Sequence, residues 1–385
     1  MMLAEVRNKE GGVSMSDQKR IKILQVGYAS FAKAGSQTVI MNIARGVYKD
    51  FDIDVLLNSN EPGYYDEEFQ GYGTIYRINC SVKGFGRIKK LIHFVLRPFR
   101  QYFYAKKLIK KNQYEIVHIH SGLEGGPIFL AAKSSGVKHI VAHSHNTASD
   151  EKRSLFSRIY RAINKRIIHR YATLKIGVSE DANRYLYGDD VSMIIHNPVD
   201  LDRFTSVERK LCGEEIVLTN VGRYCYQKNQ AFILDIFSAL IKSGYQARLN
   251  LVGFGEDEEK IQLKIEELQL TDYVHMIPGN GDVDIASILG QTDVFVFPSK
   301  FEGLGIVMIE AQAAGCLCIA SDVVPKETDL GLSEYLSLDE AATAWAEKII
   351  AMLNSRESYF LEKDLLDRFR PANIQAEYRD LYQNL

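Results

Sequence analysis

Short apolar strands alternate with helical segments along this chain, and the alternation begins twice. The first series starts at Ile21–Gly27 and runs to about residue 200, and the second restarts at Glu215–Gly222. The strands are apolar almost throughout, which is typical of parallel sheets covered by helices on both faces. A length of 385 residues also exceeds that of a single ordinary core. The sequence therefore predicts an α/β protein of two doubly wound, Rossmann-like domains that face each other across a cleft.

The two series also suggest where the domains begin and end. We expect a loose leader at 1–20, a first domain at 21–200, a linker at 201–214, a second domain at 215–372 and a final helix at 373–385 that packs back on the first domain. Met15 is an alternative start for the chain. A helical pattern over 88–111 should break at Pro98, because proline removes a backbone donor.

Other features bear on the compartment. Residues 1–20 lack the apolar core of a signal peptide, and no apolar run is long enough to span a bilayer. The five cysteines are scattered without a CxxC pair, which fits buried thiols in a reducing environment. We therefore expect a cytoplasmic protein.

The strand DVFVFPS ends at Ser299 and is followed by a glycine-containing loop and a helix that carries Glu310. Such a unit presents free backbone N–H groups and the positive end of the helix dipole, and Gly303 and Gly305 allow an anion to approach the backbone. If a diphosphate lies at the helix start, a ribose falls near Glu310, roughly 7 Å along the axis. Glu302 would then face the hydroxyls of an attached sugar.

The segment EGLGIVMIEAQAAG resembles the E-x7-E signature of the retaining family-4 glycosyltransferases, and the similarity continues into DVFVFPSKFEG and CIASDVVPKET. The resemblance implies the GT-B fold, with the nucleotide sugar held by the C-terminal domain and the acceptor by the N-terminal domain. It also implies that Glu310 binds the ribose and Glu302 the donor sugar, and that the loop Gly303, Leu304 and Gly305 contacts the donor.

Two cations follow the first strand of the second domain, in VGRYCYQKN. Arg223 and Lys228 at a strand's carboxyl end can neutralise a departing diphosphate. The resemblance implies the same role, although the family's usual Lys-Gly pair is Lys228-Asn229 here.

The strand HIVAHSHN places His143 and His145 on one face. By resemblance, His145 with Asn146 matches the family's histidine beside the reacting sugar, whereas His118 and His120 look structural. The residues Gly35 and Ser36 match only part of the family's Gly-Gly-x-Glu loop, and we expect them near a phosphate or the acceptor.

No cofactor and no essential metal are expected. Asp282-Val283-Asp284 resembles a DxD metal motif, but it precedes a helical pattern, where aspartate commonly caps the helix. The nucleotide sugar is a substrate, and a uridine donor is the default that the resemblance implies.

Two segments, 83–111 and 152–175, carry ten and eight Lys or Arg residues and no Asp or Glu. They fit either solvated helix faces or adhesion of the N-terminal domain to an anionic inner membrane leaflet. Nucleic-acid binding is not expected, because no recognition module accompanies the charge.

Together these features predict a retaining transferase that moves a hexose-type sugar from a UDP-sugar to a saccharide or lipid-linked acceptor, in cell-surface polysaccharide synthesis. Two alternatives keep the fold: a sugar-nucleotide epimerase or phosphorylase, and a non-catalytic subunit of a polysaccharide assembly complex.

Overall fold

The computed structural model describes residues 20–32, 35–79, 87–147, 155–210, 213, 215–279 and 283–385. The first sheet contains β1 Lys22–Gly27, β2 Asp52–Leu57, β3 Ile75–Arg77, β4 Ile116–Ile119, β5 His139–Ser144, β6 Leu174–Gly177 and β7 Met193–Ile194, in the order β3-β2-β1-β4-β5-β6-β7. Its helices are α1 Gly35–Val47, α2 Asp66–Phe69, α3 Arg87–Asn112, α4 Gly126–Ser134, α5 Leu155–Tyr171, α6 Glu180–Tyr187 and α7 Leu201–Thr205.

The second sheet contains β8 Ile216–Val221, β9 Ala247–Gly253, β10 Val274–Pro278, β11 Val294–Phe297, β12 Leu317–Ser321 and β13 Ser333–Leu336, in the order β10-β9-β8-β11-β12-β13. Its helices are α8 Gln230–Lys242, α9 Glu258–Glu267, α10 Ile285–Gly290, α11 Ile306–Ala313, α12 Ala342–Asn354 and α13 Lys363–Leu366, and the last helix of the chain is α14 Pro371–Gln383.

Both sheets are parallel, and in each the strand order reverses once, between β1 and β4 and between β8 and β11. Such a reversal leaves a crevice outside the carboxyl ends of the two strands, because their connections leave toward opposite faces. The central strands β4 and β11 are buried along their whole length, as the apolar runs of the sequence predict. The prediction of two doubly wound domains is confirmed.

The last helix, α14, returns to the first sheet and packs on α1. The approach is close, since a Cβ atom on Gly46 would lie 2.5 Å from Cβ of Gln375. Tyr378 and Tyr382 on α14 are fully buried against the first core. Helix α14 therefore covers the face of the first sheet on which the histidine side chains of β4 and β5 lie.

Two sequence expectations differ from the structure. Helix α3 runs through Pro98 without ending, because one missing backbone hydrogen bond is offset by the packing of Ala105 and Ile109 against α4. The expected linker opens with a helix, α7, whose Leu201 and Phe204 are buried. These two apolar residues, within a mainly polar stretch of sequence, fix the helix to the core.

A shared core joins the two sheets. Val178 and Ala182 of the first domain pack in one cluster with Phe297 and Leu304 of the second. The loop after β11 is thereby fixed against the first domain. Among the residues that the structure describes, no helix is both long and apolar enough to cross a membrane.

Candidate active site

A cleft of about 460 Å³ lies where the carboxyl ends of the two sheets face each other. The first domain lines it with residues that follow β1, β4 and β5 and with parts of α1, α5 and α6: Tyr28, Ser36, Gln37, His120, Ser121, Gly122, Leu123, Glu124, Ser144, His145, Asn146, Arg161, Tyr185 and Leu186. The second domain adds Arg223, Cys225, Tyr226, Gln227, Glu256 and Phe301. Both reversal points of strand order therefore open into one cavity.

Three residues expected from the sequence, Ser36, His145 and Arg223, line this cleft. Other expected residues are not among its lining residues and lie on the loops after β8 and β11 and on α11: Lys228, Glu302, Gly303, Leu304, Gly305 and Glu310. Gly35 begins α1 directly before Ser36. Asp282 of the DxD-like motif, the leader up to Lys19 and part of the linker lie outside the described residues.

Lys228 and Glu302 form a close ion pair, with Nζ 2.6 Å from Oε1. Their side chains are only 17% and 7% exposed. The ammonium group also lies 4.7 Å from the ring centroid of Phe297, a favourable distance for a cation over an aromatic face. The loop after β8 and the loop after β11 are thus joined by a largely desolvated pair, and each charge depends on the other.

Backbone contacts reinforce the join between these loops. The backbone N–H of Lys300 donates to the Gln227 carbonyl at 2.8 Å, and the Gln227 amide donates to the Phe301 carbonyl at 2.9 Å. The loop that precedes α11 therefore keeps one shape beside Lys228.

The same loop is held against the first domain. The Thr147 hydroxyl donates to the Glu302 carbonyl and the Ser179 hydroxyl to the Gly303 carbonyl, both at 2.6 Å. Gly303 lies so close to the strand end that a Cβ atom would sit 2.0 Å from the His145 carbonyl oxygen. Only glycine fits there, so His145 and the loop after β11 are neighbours.

Helix α11 begins at Ile306, with Gly305 as its N-cap in the left-handed region at φ 89°. The first N–H groups of the helix are available for an anion. The Leu304 side chain is buried in the shared core, so only its backbone can contact a ligand. Glu310 is half-buried on the second turn.

Arg223 differs from Lys228 in its surroundings. Its guanidinium group pairs with Glu256 at 2.9 Å, but the two side chains are 68% and 56% exposed. An exposed pair of this kind costs little to break, because water screens it. Arg223 can therefore turn from Glu256 toward an anion in the cleft.

Four histidines lie together on one face of the first sheet: His118, His120, His143 and His145. The Nε2 atom of His145 is 2.9 Å from Nδ1 of His120, and Nε2 of His118 is 3.2 Å from Nδ1 of His143. Burial lowers the pKa of His118 and His145 to about 3, and lowers those of His120 and His143 well below the ordinary value. All four are neutral at pH 7, and His145 rather than His143 reaches the cleft.

Three of these histidines, His118, His120 and His143, have ring nitrogens within 4.8 Å of one another and are the only group in the described ranges that could hold a metal ion. Hydrogen bonds to neighbouring groups already engage both ring nitrogens of His118 and of His120. An ion would have to displace these bonds.

Sequence reasoning missed several lining residues, of which Glu124, Arg161 and Tyr185 form a group. The Arg161 guanidinium donates to the Tyr185 hydroxyl at 2.6 Å and lies 3.7 Å from the Glu124 carboxylate. The sequence Ser-Gly-Leu-Glu, one residue after the end of β4, was a usable signal for Glu124, because it follows a strand at which the strand order reverses. Arg161 could not be distinguished by sequence from the other cations of the basic segment 152–175.

Comparisons with known proteins agree with this architecture. Residues 34–203 match the family described as Glycosyltransferase Family 4, and residues 203–365 match Glycosyl transferases group 1. The chain is 31% identical to a Bacillus subtilis (strain 168) protein, EpsF, which carries the name of a glycosyltransferase, over 87% of this chain and 88% of the relative. It is 30% identical to the Escherichia coli UDP-Gal:alpha-D-GlcNAc-diphosphoundecaprenol alpha-1,3-galactosyltransferase, over 86% and 88% of the two chains.

Solved structures show the same fold. The Anabaena protein HepE in complex with UDP-glucose superposes with a TM-score of 0.73 at 16% identity, over 95% of this chain and all of that one. Both halves of the chain thus match glycosyltransferase families, and the two sheets match the arrangement of a solved relative. The chain belongs to the family-4 glycosyltransferases and has the GT-B fold.

Proposed function

We propose that this glycosyltransferase is a retaining enzyme that moves a hexose from a UDP-sugar to a saccharide or lipid-linked acceptor in cell-surface polysaccharide synthesis. The observation that carries the proposal is the contact between the two halves of the cleft. The loop Glu302–Gly305 touches the strand end that carries His145, through Gly303 and the Glu302 carbonyl, and the Glu302 carboxylate pairs with Lys228. Two relatives support the substrate class, since HepE binds UDP-glucose and the E. coli enzyme is named for a lipid diphosphate acceptor.

In this mechanism the diphosphate of the donor lies at the start of α11, with Arg223 and Lys228 on either side. The ribose hydroxyls bind Glu310, and Glu302 and His145 hold the sugar. The bond from the sugar's C1 to the diphosphate breaks as the acceptor oxygen bonds to C1 on the same face. The proton of the acceptor hydroxyl passes to the departing diphosphate. Cations and helix N–H groups stabilise the charge that develops there.

Product analysis tests the reaction. Purified protein is incubated with UDP-glucose, UDP-galactose or UDP-N-acetylglucosamine, with and without a saccharide or a lipid-diphosphate acceptor, and the products are analysed by mass spectrometry and NMR. We expect acceptor-dependent release of UDP and a product with the donor's anomeric configuration. A product of inverted configuration contradicts the retaining mechanism. Transfer only from a sugar on a different nucleotide contradicts the UDP-sugar donor.

The same assay separates the alternatives. Isomerised sugar nucleotide without acceptor indicates an epimerase, and sugar phosphate formed with added phosphate indicates a phosphorylase. A folded protein that neither binds nor turns over any donor is a non-catalytic subunit.

We further propose that transfer needs no metal ion, because Arg223, Lys228 and the helix start supply the positive charge that a metal supplies elsewhere. Turnover in EDTA should equal turnover in added Mg²⁺ or Mn²⁺. A loss of activity in EDTA that is restored by one of these ions contradicts this part.

A lipid-linked acceptor requires access to a membrane, and we propose that α3 and α5 dock on the cytoplasmic leaflet. Large apolar side chains stand exposed on the outer faces of both helices: Val95, Leu96, Phe99, Phe103, Leu155, Phe156, Ile159 and Ile163. Lysines and arginines accompany them with no acidic residue in either helix. An apolar face within a basic helix is the pattern of interfacial membrane binding.

Vesicle flotation tests this docking. Wild type should float with vesicles that contain anionic phosphatidylglycerol, less so with neutral vesicles, and Phe156→Glu should reduce flotation. Phe360→Glu is the matched control, because Phe360 is 70% exposed but lies in the second domain. Equal, negligible flotation with both vesicle types contradicts the docking, as does equal loss in both variants.

A further inference from the structure

A continuous chain of hydrogen bonds runs beneath the cleft and has Gln25 at its centre. The carbonyl oxygen of the Gln25 side chain is 2.7 Å from Nε2 of His120, and Nδ1 of His120 is 2.9 Å from Nε2 of His145. On the other side, the Gln25 amide nitrogen donates to the Tyr382 hydroxyl at 2.8 Å, and that hydroxyl is 2.6 Å from Nδ1 of His118. Gln25 itself is fully buried.

The Gln25 amide is oriented with its oxygen toward His120 and its nitrogen toward Tyr382, and this orientation determines the direction of each bond. A carbonyl oxygen can only accept, so Nε2 of His120 carries the proton that it donates to Gln25. In a neutral imidazole the other nitrogen is then an acceptor, so Nδ1 of His120 accepts from Nε2–H of His145. His145 is therefore protonated on Nε2 and has a lone pair on Nδ1.

The same donor and acceptor reasoning applies to the hydrogen bonds on the Tyr382 side of Gln25. The Tyr382 hydroxyl accepts from the Gln25 amide and donates to Nδ1 of His118, so His118 donates through Nε2 to Nδ1 of His143. Each hydrogen bond of the chain then has one donor and one acceptor, and this arm ends at the Nε2–H of His143, which is buried without a partner in the described protein. No extra proton is needed anywhere.

The surroundings keep the imidazoles neutral. In the described ranges, the pKa values of His118, His120, His143 and His145 are shifted only by burial and by one another, and no carboxylate contributes. Two further rings from α14, Tyr378 and Tyr382, cover the cluster. A charged imidazolium donates from both ring nitrogens and would therefore change the donor and acceptor roles along the chain. Burial disfavours this charged form at pH 7.

The chain ends at the cleft with an unused acceptor. Nδ1 of His145 is buried and has no hydrogen-bond partner within the described protein, although His145 lines the cleft. A lone pair in that position requires a donor. A hydroxyl group of a bound sugar is such a donor, whereas a carboxylate is not.

We infer that Gln25 is a positioning residue for sugar transfer, because its side-chain amide fixes the direction of the hydrogen bonds through His120 and holds His145 as the Nε2–H tautomer, which accepts a hydrogen bond from a sugar hydroxyl at Nδ1. The inference rests on the proposed function for its effect on turnover. Gln25 touches no substrate and acts through His120.

The first measurement is the tautomer of His145, read from long-range ¹H–¹⁵N NMR spectra of protein labelled at histidine, with His145→Gln to assign the signals. Wild type should show the Nε2–H form. Gln25→Met, of similar size but without the amide, should convert the His145 signals to a mixture of tautomers. A wild-type His145 protonated on Nδ1, or an unchanged tautomer in Gln25→Met, overturns the inference.

The second measurement is turnover in the same variants. Gln25→Met should lower kcat about tenfold, as expected for the loss of one oriented hydrogen bond, with little change in the KM for the donor. Tyr378→Phe is the matched control, because it removes a buried hydroxyl that lies over the same imidazoles but has no hydrogen-bond partner in the described protein. It should retain both the tautomer and kcat.

The two readouts separate the possible failures. If the tautomer changes in Gln25→Met while kcat does not, the positioning role is overturned. If the wild type shows the expected tautomer but transfers no sugar, the proposed function fails, since the NMR measurement requires no substrate. If Gln25→Met does not fold, the wild-type tautomer alone decides.

Discussion

Arg223 and Lys228 lie on one loop, but their charged groups have different surroundings. Lys228 is largely buried in a close ion pair with Glu302, whereas Arg223 is exposed and loosely paired. A buried charge is costly once its partner is removed, and an exposed one is not. Substitutions of the two residues should therefore differ in their effect on stability, although both should lower catalysis.

Lys228→Met should lower the free energy of unfolding by about 3 kcal/mol, because it leaves the Glu302 carboxylate buried and unpaired. Arg223→Met should change it by less than about 1 kcal/mol. Both should lower kcat, since both remove a cation near the diphosphate. Urea denaturation followed by circular dichroism measures the stability, and equal stability losses in the two variants would show that the burial of the Lys228 pair has no energetic consequence.

Sequence patterns located these cations because they follow a strand end, but they could not tell the buried one from the exposed one. That difference depends on Phe297 and Glu302, which come from a distant strand and loop. Similarly, period-two alternation placed His143 and His145 on one face. It did not show the bonds to His120, which depend on the register of β4 against β5.

Among the elements, the loop between β11 and α11 is the one whose shape the site depends on. It is held by hydroxyl groups from the first domain and by Gly303, which touches the backbone at His145. A side chain at this position would force the loop and the strand apart.

Gly303→Ala should therefore reduce kcat/KM by at least about tenfold, since a misplacement of this size is costly in a preorganised site, while the protein remains folded. Gly71→Ala is the matched control, because its Cβ atom would meet only the Glu68 carbonyl oxygen at 3.2 Å, far from the cleft. The measurement is steady-state kinetics with the preferred donor. Wild-type kinetics in Gly303→Ala would contradict the close approach.

Element types were predictable where local patterns are strong. The buried strands β4 and β11 and the start of α11 near Gly305 appear in the structure as the sequence suggests. The break at Pro98 was wrong, and α7 was not foreseen, because tertiary packing decided both. Local propensity gives way where an apolar face has a partner.

The whole molecule should be sensitive to acid because of the buried histidines. An unfolded histidine has a pKa of about 6.5, whereas burial lowers the pKa of His118 and His145 to about 3 in the folded state. The folded protein thus binds fewer protons between these values. Stability is fully present above about pH 6.5 and is lost as the pH falls.

We expect the free energy of unfolding to fall between pH 7 and pH 5, by about 1 kcal/mol per pH unit for each buried histidine. His143→Gln should reduce this slope, and the exposed His275→Gln should not. Urea titrations at several pH values measure it. A slope that His143→Gln leaves unaltered would mean that the buried imidazoles do not control acid stability.

The proposed function requires that the cleft between the domains holds the diphosphate of a nucleotide sugar. Isothermal titration calorimetry of UDP, GDP, ADP and dTDP with wild type and with Arg223→Met and Glu310→Ala tests it directly. We expect wild type to bind UDP in preference to the others and both variants to bind it at least about tenfold more weakly, the loss expected for one charge-assisted contact. Undiminished UDP binding in both variants, or no nucleotide binding by wild type, would contradict it.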